Sequence, residues 1–164
     1  MLLNYKPTQD TSKIESFEGK RLYFYEKGER IPLIASGLWQ VYQGVVQLTK
    51  LDVVGEDEIV LGWAIPETSF GMWLTDIPNY QAEALDDVYL RWFSQAEIES
   101  SLFLSRIFVE QLSRRLLEAE ELLSIAGMRR VEDRLWQLLL FLKEKIGKPT
   151  STGSRFSVRL THYN

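Results

Sequence analysis

Cysteine is absent from the 164 residues, and histidine occurs once, at His162. Without thiols there are no disulfides, iron–sulfur clusters or thiolate zinc sites. One imidazole cannot build a cupin-type centre, which needs several imidazoles or carboxylates converging on one ion. No metal site and no cofactor is therefore expected. No apolar run approaches the ~18 residues of a membrane span. Met1, Leu2 and Leu3 lead at once into Asn4, Tyr5 and Lys6 rather than into a signal-peptide core. The expected compartment is the cytoplasm, with no membrane partner. Excess positive charge is also lacking, since the net charge is −4. A free-standing nucleic-acid binder usually carries a basic face, so these residues alone are not expected to hold DNA. There is no G-x-S-x-G, P-loop or H-E-x-x-H motif. No catalytic residue is assigned, and the chain is not expected to be an enzyme.

What is present divides into two unlike halves. Residues 1–93 are rich in Val, Tyr, Trp, Phe, Gly and Pro, in short runs broken by turn residues. They predict strands at 21–25, 31–34, 38–48 with a bend at Gln43-Gly44, 58–65 and 82–93, with an acidic turn around Gly55. Short strands at this spacing predict a sandwich or jelly roll. With 12% aromatic residues and five Trp, either a well-filled core or an aromatic pocket is expected.

From residue 95 to 146 the only glycine is Gly127, and Leu, Glu and Arg dominate. Ser94 and Glu97 fit a capping box for a short helix. A long helix is predicted over 101–126. Leu102, Val109, Leu112, Leu116, Ala119, Leu123 and Ala126 lie along one seam, and from Val109 the steps alternate 3, 4, 3, 4, 3. That is the a/d pattern of a coiled coil, which predicts a dimer seam. The same stripe also suits a helix packed on its own β-domain. A second strip, Phe103, Ile107, Phe108, Leu117 and Leu122, allows both at once. Gly127 costs about 1 kcal/mol against Ala inside a helix and marks a joint. A second helix follows over 129–145, then a polar loop at 147–154. Phe156, Val158 and Leu160 form a short strand, and Thr161 is placed to cap a further helix.

The order of these elements, and five local matches, resemble the Crp–Fnr (catabolite activator) family. They are FYEKGERIP (24–32), YQGVVQL (42–48), SFGMWLTDIPNYQAEAL (69–85), RRVEDRLWQLLLFLKEKIG (129–147) and FSVRLTHYN (156–164). The resemblance covers residues 17–164. It implies an α+β chain: an antiparallel jelly roll like cyclic-nucleotide-binding domains at 1–100, a dimerisation helix at 101–127, and the incomplete start of a winged helix-turn-helix at 128–164. It further implies a homodimer, an unknown small effector, and DNA contact through a C-terminal module absent from this chain, whose recognition helix would enter the major groove. One alternative is a regulatory module that heterodimerises and binds no DNA of its own. The other is a cupin-type enzyme, which the single histidine argues against.

The resemblance also proposes an effector pocket: Phe70, Gly71, Met72, Trp73, Tyr80, Gln81, Arg115 and Glu120. Cyclic-nucleotide members open this cassette with Phe-Gly-Glu and place Arg-Ser or Arg-Thr near its end. There the Arg and exposed N–H groups hold the cyclic phosphate and the Glu takes the ribose. Here Met72 stands in place of the carboxylate, and Tyr80-Gln81 in place of the guanidinium. Tight cyclic AMP binding is not expected. Arg115 and Glu120 have the spacing of the branch that senses 2-oxoglutarate, but no cassette Arg lies between Gly71 and Leu90. The bland readings stand beside these. Met72, Trp73 and Tyr80 also suit core filling. Arg114, Arg115, Glu118, Glu120 and Glu121 also suit a solvated helix face.

Overall fold

The computed structural model describes residues 19–52 and 57–156. Seven strands come first: β1 (Leu22–Tyr25), β2 (Gly37–Gln43), β3 (Val46–Leu51), β4 (Glu58–Ala64), β5 (Ser69–Phe70), β6 (Tyr80–Ala84) and β7 (Val88–Ser94). Helices α1 (Gln95–Ser100), α2 (Leu102–Ala126) and α3 (Val131–Ile146) follow, and then a hairpin of β8 (Gly147–Thr150) and β9 (Gly153–Phe156). The chain is thus α+β. Two antiparallel sheets, ordered β1-β7-β2-β5 and β4-β3-β6, face each other as a roll. Trp39, Val41, Val46, Leu48, Phe70, Ala82, Val88 and Leu90 fill the space between them. The alternation of apolar and polar residues along each strand puts these side chains inward. Trp39 satisfies its indole by donating to the Pro32 carbonyl at 2.8 Å.

The bend between β2 and β3 lies where the sequence predicts it. Gly44 adopts φ +92°, and a Cβ there would stand 2.6 Å from the Asp87 carbonyl oxygen. Only glycine meets both demands. Three expectations need correcting. Residues 82–93 are not one strand: Leu85, Asp86 and Asp87 turn the chain from the β6 sheet into the β7 sheet. The Asp86 carboxylate accepts from the Val45 amide at 2.7 Å, and Asp87 accepts from the Lys27 amide at 3.1 Å. Residues 31–34 form no strand. An isolated bridge joins Arg30 to Glu83, and Pro32 has no N–H to continue a ladder. Residues 147–150 are not loop but β8, paired with β9 in register Gly147 to Phe156. The acidic turn at 53–56 and the predicted strand and cap at Val158, Leu160 and Thr161 lie outside the described residues.

The helices begin as predicted. Ser94 Oγ accepts from the Glu97 amide at 3.2 Å and starts α1. The Glu97 carboxylate takes Lys20 at 2.6 Å. Ser101 Oγ accepts from the Leu104 amide and starts α2. Ser105 ties the two helices together by donating to the Ile98 carbonyl at 2.7 Å. At Gly127 the chain leaves the helix, and α3 begins four residues later. Among the described residues, no helix is long and apolar enough to cross a membrane.

One face of α2 packs on the roll. Leu104 and Phe108 join Leu38 and Phe93 of the four-stranded sheet and Ile98 of α1. Further along, Ile125 joins Phe141, Leu142 and Ile146 of α3, with Trp63, Ile65 and Leu122 packed against them. The buried positions 104, 108, 111 and 125 fall on one helical stripe. The predicted second strip is therefore only partly right. Phe108 and Leu122 face inward, but Phe103 and Leu117 are exposed. A shift of one residue turns a side chain by about 100°, enough to change its face.

Candidate functional site

The cassette residues do not all meet. Phe70 ends β5 with its ring wholly buried in the roll. Gly71 follows at φ +154°, where a Cβ would lie 3.0 Å from the Gly37 carbonyl oxygen and 3.3 Å from a Leu38 methyl. This close approach of two backbones explains a glycine here without any ligand. Met72, Trp73 and Leu74 form one 3-10 turn and are half-buried. Trp73 and Leu74 pack on the Leu38–Phe93–Phe108 cluster, so this turn fills the contact between roll and helix. Tyr80 and Gln81 begin β6 and point to opposite faces. Tyr80 packs on the core between the sheets, and Gln81 lies on the other side.

Helix α2 supplies the rest. Arg115 Nη1 donates to the Ser69 carbonyl of β5 at 3.2 Å. It also stands by the Tyr80 phenol. Burial raises that phenol above its usual pKa, while the guanidinium's charge and hydrogen bond pull the other way. Arg114 donates to the Glu67 carbonyl at 3.3 Å. Glu120 is exposed. Five residues of α-helix rotate it about 140° from Arg115, so the two do not line one pocket. The two residues set at that spacing thus leave α2 in different directions.

Sequence reasoning missed two members of the site. Ser69 is wholly buried, and its hydroxyl donates to Gln111 Oε1 in a short hydrogen bond. Gln111 is only 2% exposed on α2. A buried polar pair of this kind fixes register, because breaking it strands a donor or acceptor. The signal was available: Gln111 falls in the stripe of Leu104, Phe108 and Arg115, where an apolar residue would otherwise stand. Ser69, Gln111, Arg115 and Tyr80 thus form a polar clamp between β5, β6 and the long helix.

The seam lies on the flank of α2 beside the clamp. Leu102, Val109, Leu112, Leu116, Ala119, Leu123 and Ala126 are all exposed, Leu116 at 61% and Leu123 at 73%. A second exposed apolar set, Val131, Leu135, Trp136, Leu139 and Leu140, lies on α3.

No protein-family model matches the chain. It is 33% identical over 135 residues to the regulatory protein CysR of Synechococcus elongatus, covering 80% of this chain and 61% of that protein. It is 30% identical over 146 residues to the nitrogen fixation regulation protein FixK of Bradyrhizobium diazoefficiens, covering 84% and 61%. A Crp/Fnr-family transcriptional regulator from Thermus thermophilus shares the fold with a TM-score of 0.66 at 23% identity, over 80% of this chain and 70% of that one. A Crp-family regulator from the same organism gives 0.69 at 19% identity, over 80% and 69%.

The chain is a homologue of regulatory proteins with the Crp/Fnr fold. It spans about three-fifths of the length of the two curated relatives. The roll is the cyclic-nucleotide-binding type of β-sandwich followed by helices, as in a cyclic nucleotide-binding domain protein from Listeria monocytogenes (TM-score 0.69, 11% identity, 86% and 72% covered).

Proposed function

We propose that this chain is the effector-sensing and dimerisation portion of a Crp–Fnr family transcription regulator, acting in the cytoplasm as a homodimer. Residues 1–100 form its effector roll and 101–127 its dimer helix. From 128 onward it is the opening of a winged helix module that reaches DNA. The observation that carries the reading is the exposure of all seven seam positions on one helix whose neighbouring face is buried. A coiled-coil stripe left in water is a helix face awaiting an equivalent helix. Sequence identity to CysR and FixK over most of the chain supports the regulator class. The exposed apolar face of α3 supports a further module packed over it.

The roll is proposed not to respond to cyclic AMP. A cyclic phosphate needs a guanidinium or an equivalent donor set, and without one the site loses several kcal/mol of charge-assisted hydrogen bonding, to within about a factor of two. Arg115, a cation beside the cassette, is already engaged by the Ser69 carbonyl and the Tyr80 phenol. Sedimentation velocity tests the dimer: wild type is expected as a dimer and Leu116→Glu as a monomer. If Leu116→Glu stays dimeric, the seam assignment fails. A rise in melting temperature with micromolar cyclic AMP would overturn the effector reading.

A further inference from the structure

The seam gives every residue of α2 a place in a heptad. Val109 and Leu112 take the first and fourth positions of one repeat, and Leu116 and Ala119 those of the next. Arg115 is then the last residue of the first repeat, and Glu120 is the fifth of the second. They flank the seam on its two sides. Arg115 is half-buried on the side that meets the roll, and Glu120 is exposed on the far side. Within one chain they point apart. In a parallel pair of helices the last residue of one repeat meets the fifth residue of the partner's next repeat, five positions on. That rule sets Arg115 beside the partner's Glu120. One repeat earlier it sets Phe108 beside Ser113, an uncharged pair. Arg115 has donors left for such a contact, because a guanidinium carries five N–H groups. It gives one to the Ser69 carbonyl at 3.2 Å and another to the Tyr80 phenol. These acceptors supply hydrogen bonds but no negative charge. Glu118, three residues further along α2, is taken up by Lys145 at 3.2 Å.

We propose that the partner's Glu120 completes the clamp of Ser69, Tyr80 and Arg115, as a direct ion pair formed twice across the seam of a parallel dimer. The inference rests on the dimer reading above and adds to it the residue that each chain lends to the other. Half-burial of Arg115 shields the pair from water, so it is worth more than a pair on an open surface. Two-fold symmetry repeats it, so one substitution removes two pairs. The pair also ties each roll to the other chain. The guanidinium that receives the partner's carboxylate is the one that grips β5 and β6.

The dimer dissociation constant of the full chain tests it, measured by sedimentation over a concentration series. Glu120→Gln is expected to raise that constant ~5-fold and Glu120→Lys ~30-fold. Both effects are expected to shrink in about 1 M salt. Dilute, monomeric Glu120 variants are expected to melt as dilute wild type does, because this side chain is exposed. Arg115→Gln keeps a donor for the Ser69 carbonyl and is expected to raise the constant ~5-fold as well. Joined with Glu120→Gln it is expected to give ~5-fold in total, since both changes remove the same pair. A constant unmoved by Glu120→Lys, in a dimer that Leu116→Glu still dissociates, would overturn the pair and leave the seam standing. Losses that multiply in the double variant would also overturn it. A wild-type chain that stays monomeric would overturn seam and pair together.

Discussion

The two faces of α2 carry nearly the same spacing of apolar residues and have opposite fates. The inner stripe runs through Leu104, Phe108, Gln111 and Ile125, all buried against the roll or α3. The outer stripe runs through Leu102, Val109, Leu112, Leu116 and Leu123, all exposed. Periodicity fixes the width of an apolar face but not its partner. The inner stripe differs by carrying aromatic and polar residues shaped to one site, whereas the outer is uniform in aliphatic side chains, as a repeating seam is.

Substitutions along the helix sharpen this contrast. The largest effect is expected inside. Phe108→Ala removes a ring packed 5.1 Å from the Phe93 ring and is expected to cost about 3–5 kcal/mol in urea unfolding, independent of protein concentration. Gln111→Leu leaves the Ser69 hydroxyl buried without its acceptor and is expected to cost about 1–3 kcal/mol by the same measurement. Ser101→Ala removes the cap of both faces together, and a loss of about 1 kcal/mol is expected in thermal unfolding. The smallest effect is expected outside. Leu116→Glu should alter the stability of dilute, monomeric protein by no more than about 0.5 kcal/mol. It should nevertheless abolish the rise of melting temperature with protein concentration that a dimer shows. Equal costs at Phe108 and Leu116 in dilute protein would erase the distinction between the faces.

Much of this was legible in the sequence. Gln43-Gly44, the Ser94 cap and the joint at Gly127 are local signals, and each holds in the structure. The β6–β7 corner did carry a local signal: Asp86 falls at an inward position, in line with Ala82, Ala84, Val88 and Leu90, where a continued strand would be apolar. The Asp86 and Asp87 carboxylates bond backbone amides of distant turns, a fact no local pattern encodes. The site was less legible than the fold. Gly71 and Arg115 were found by resemblance, but Glu120 was grouped with Arg115 by spacing in a motif rather than by angle on a helix. Gln111 was passed over, although a polar residue in an inward stripe is itself a signal.

The absence of native cysteine makes a direct test of the seam available. Leu116→Cys places one thiol per chain on the outer stripe, and in a parallel pair of α2 helices that position faces its own copy. Mild oxidation is expected to give a covalent dimer on non-reducing gels, while Arg114→Cys, which faces the chain's own Glu67, remains monomeric. Failure of Leu116→Cys to cross-link, or equal cross-linking by the Arg114 variant, would contradict the parallel dimer.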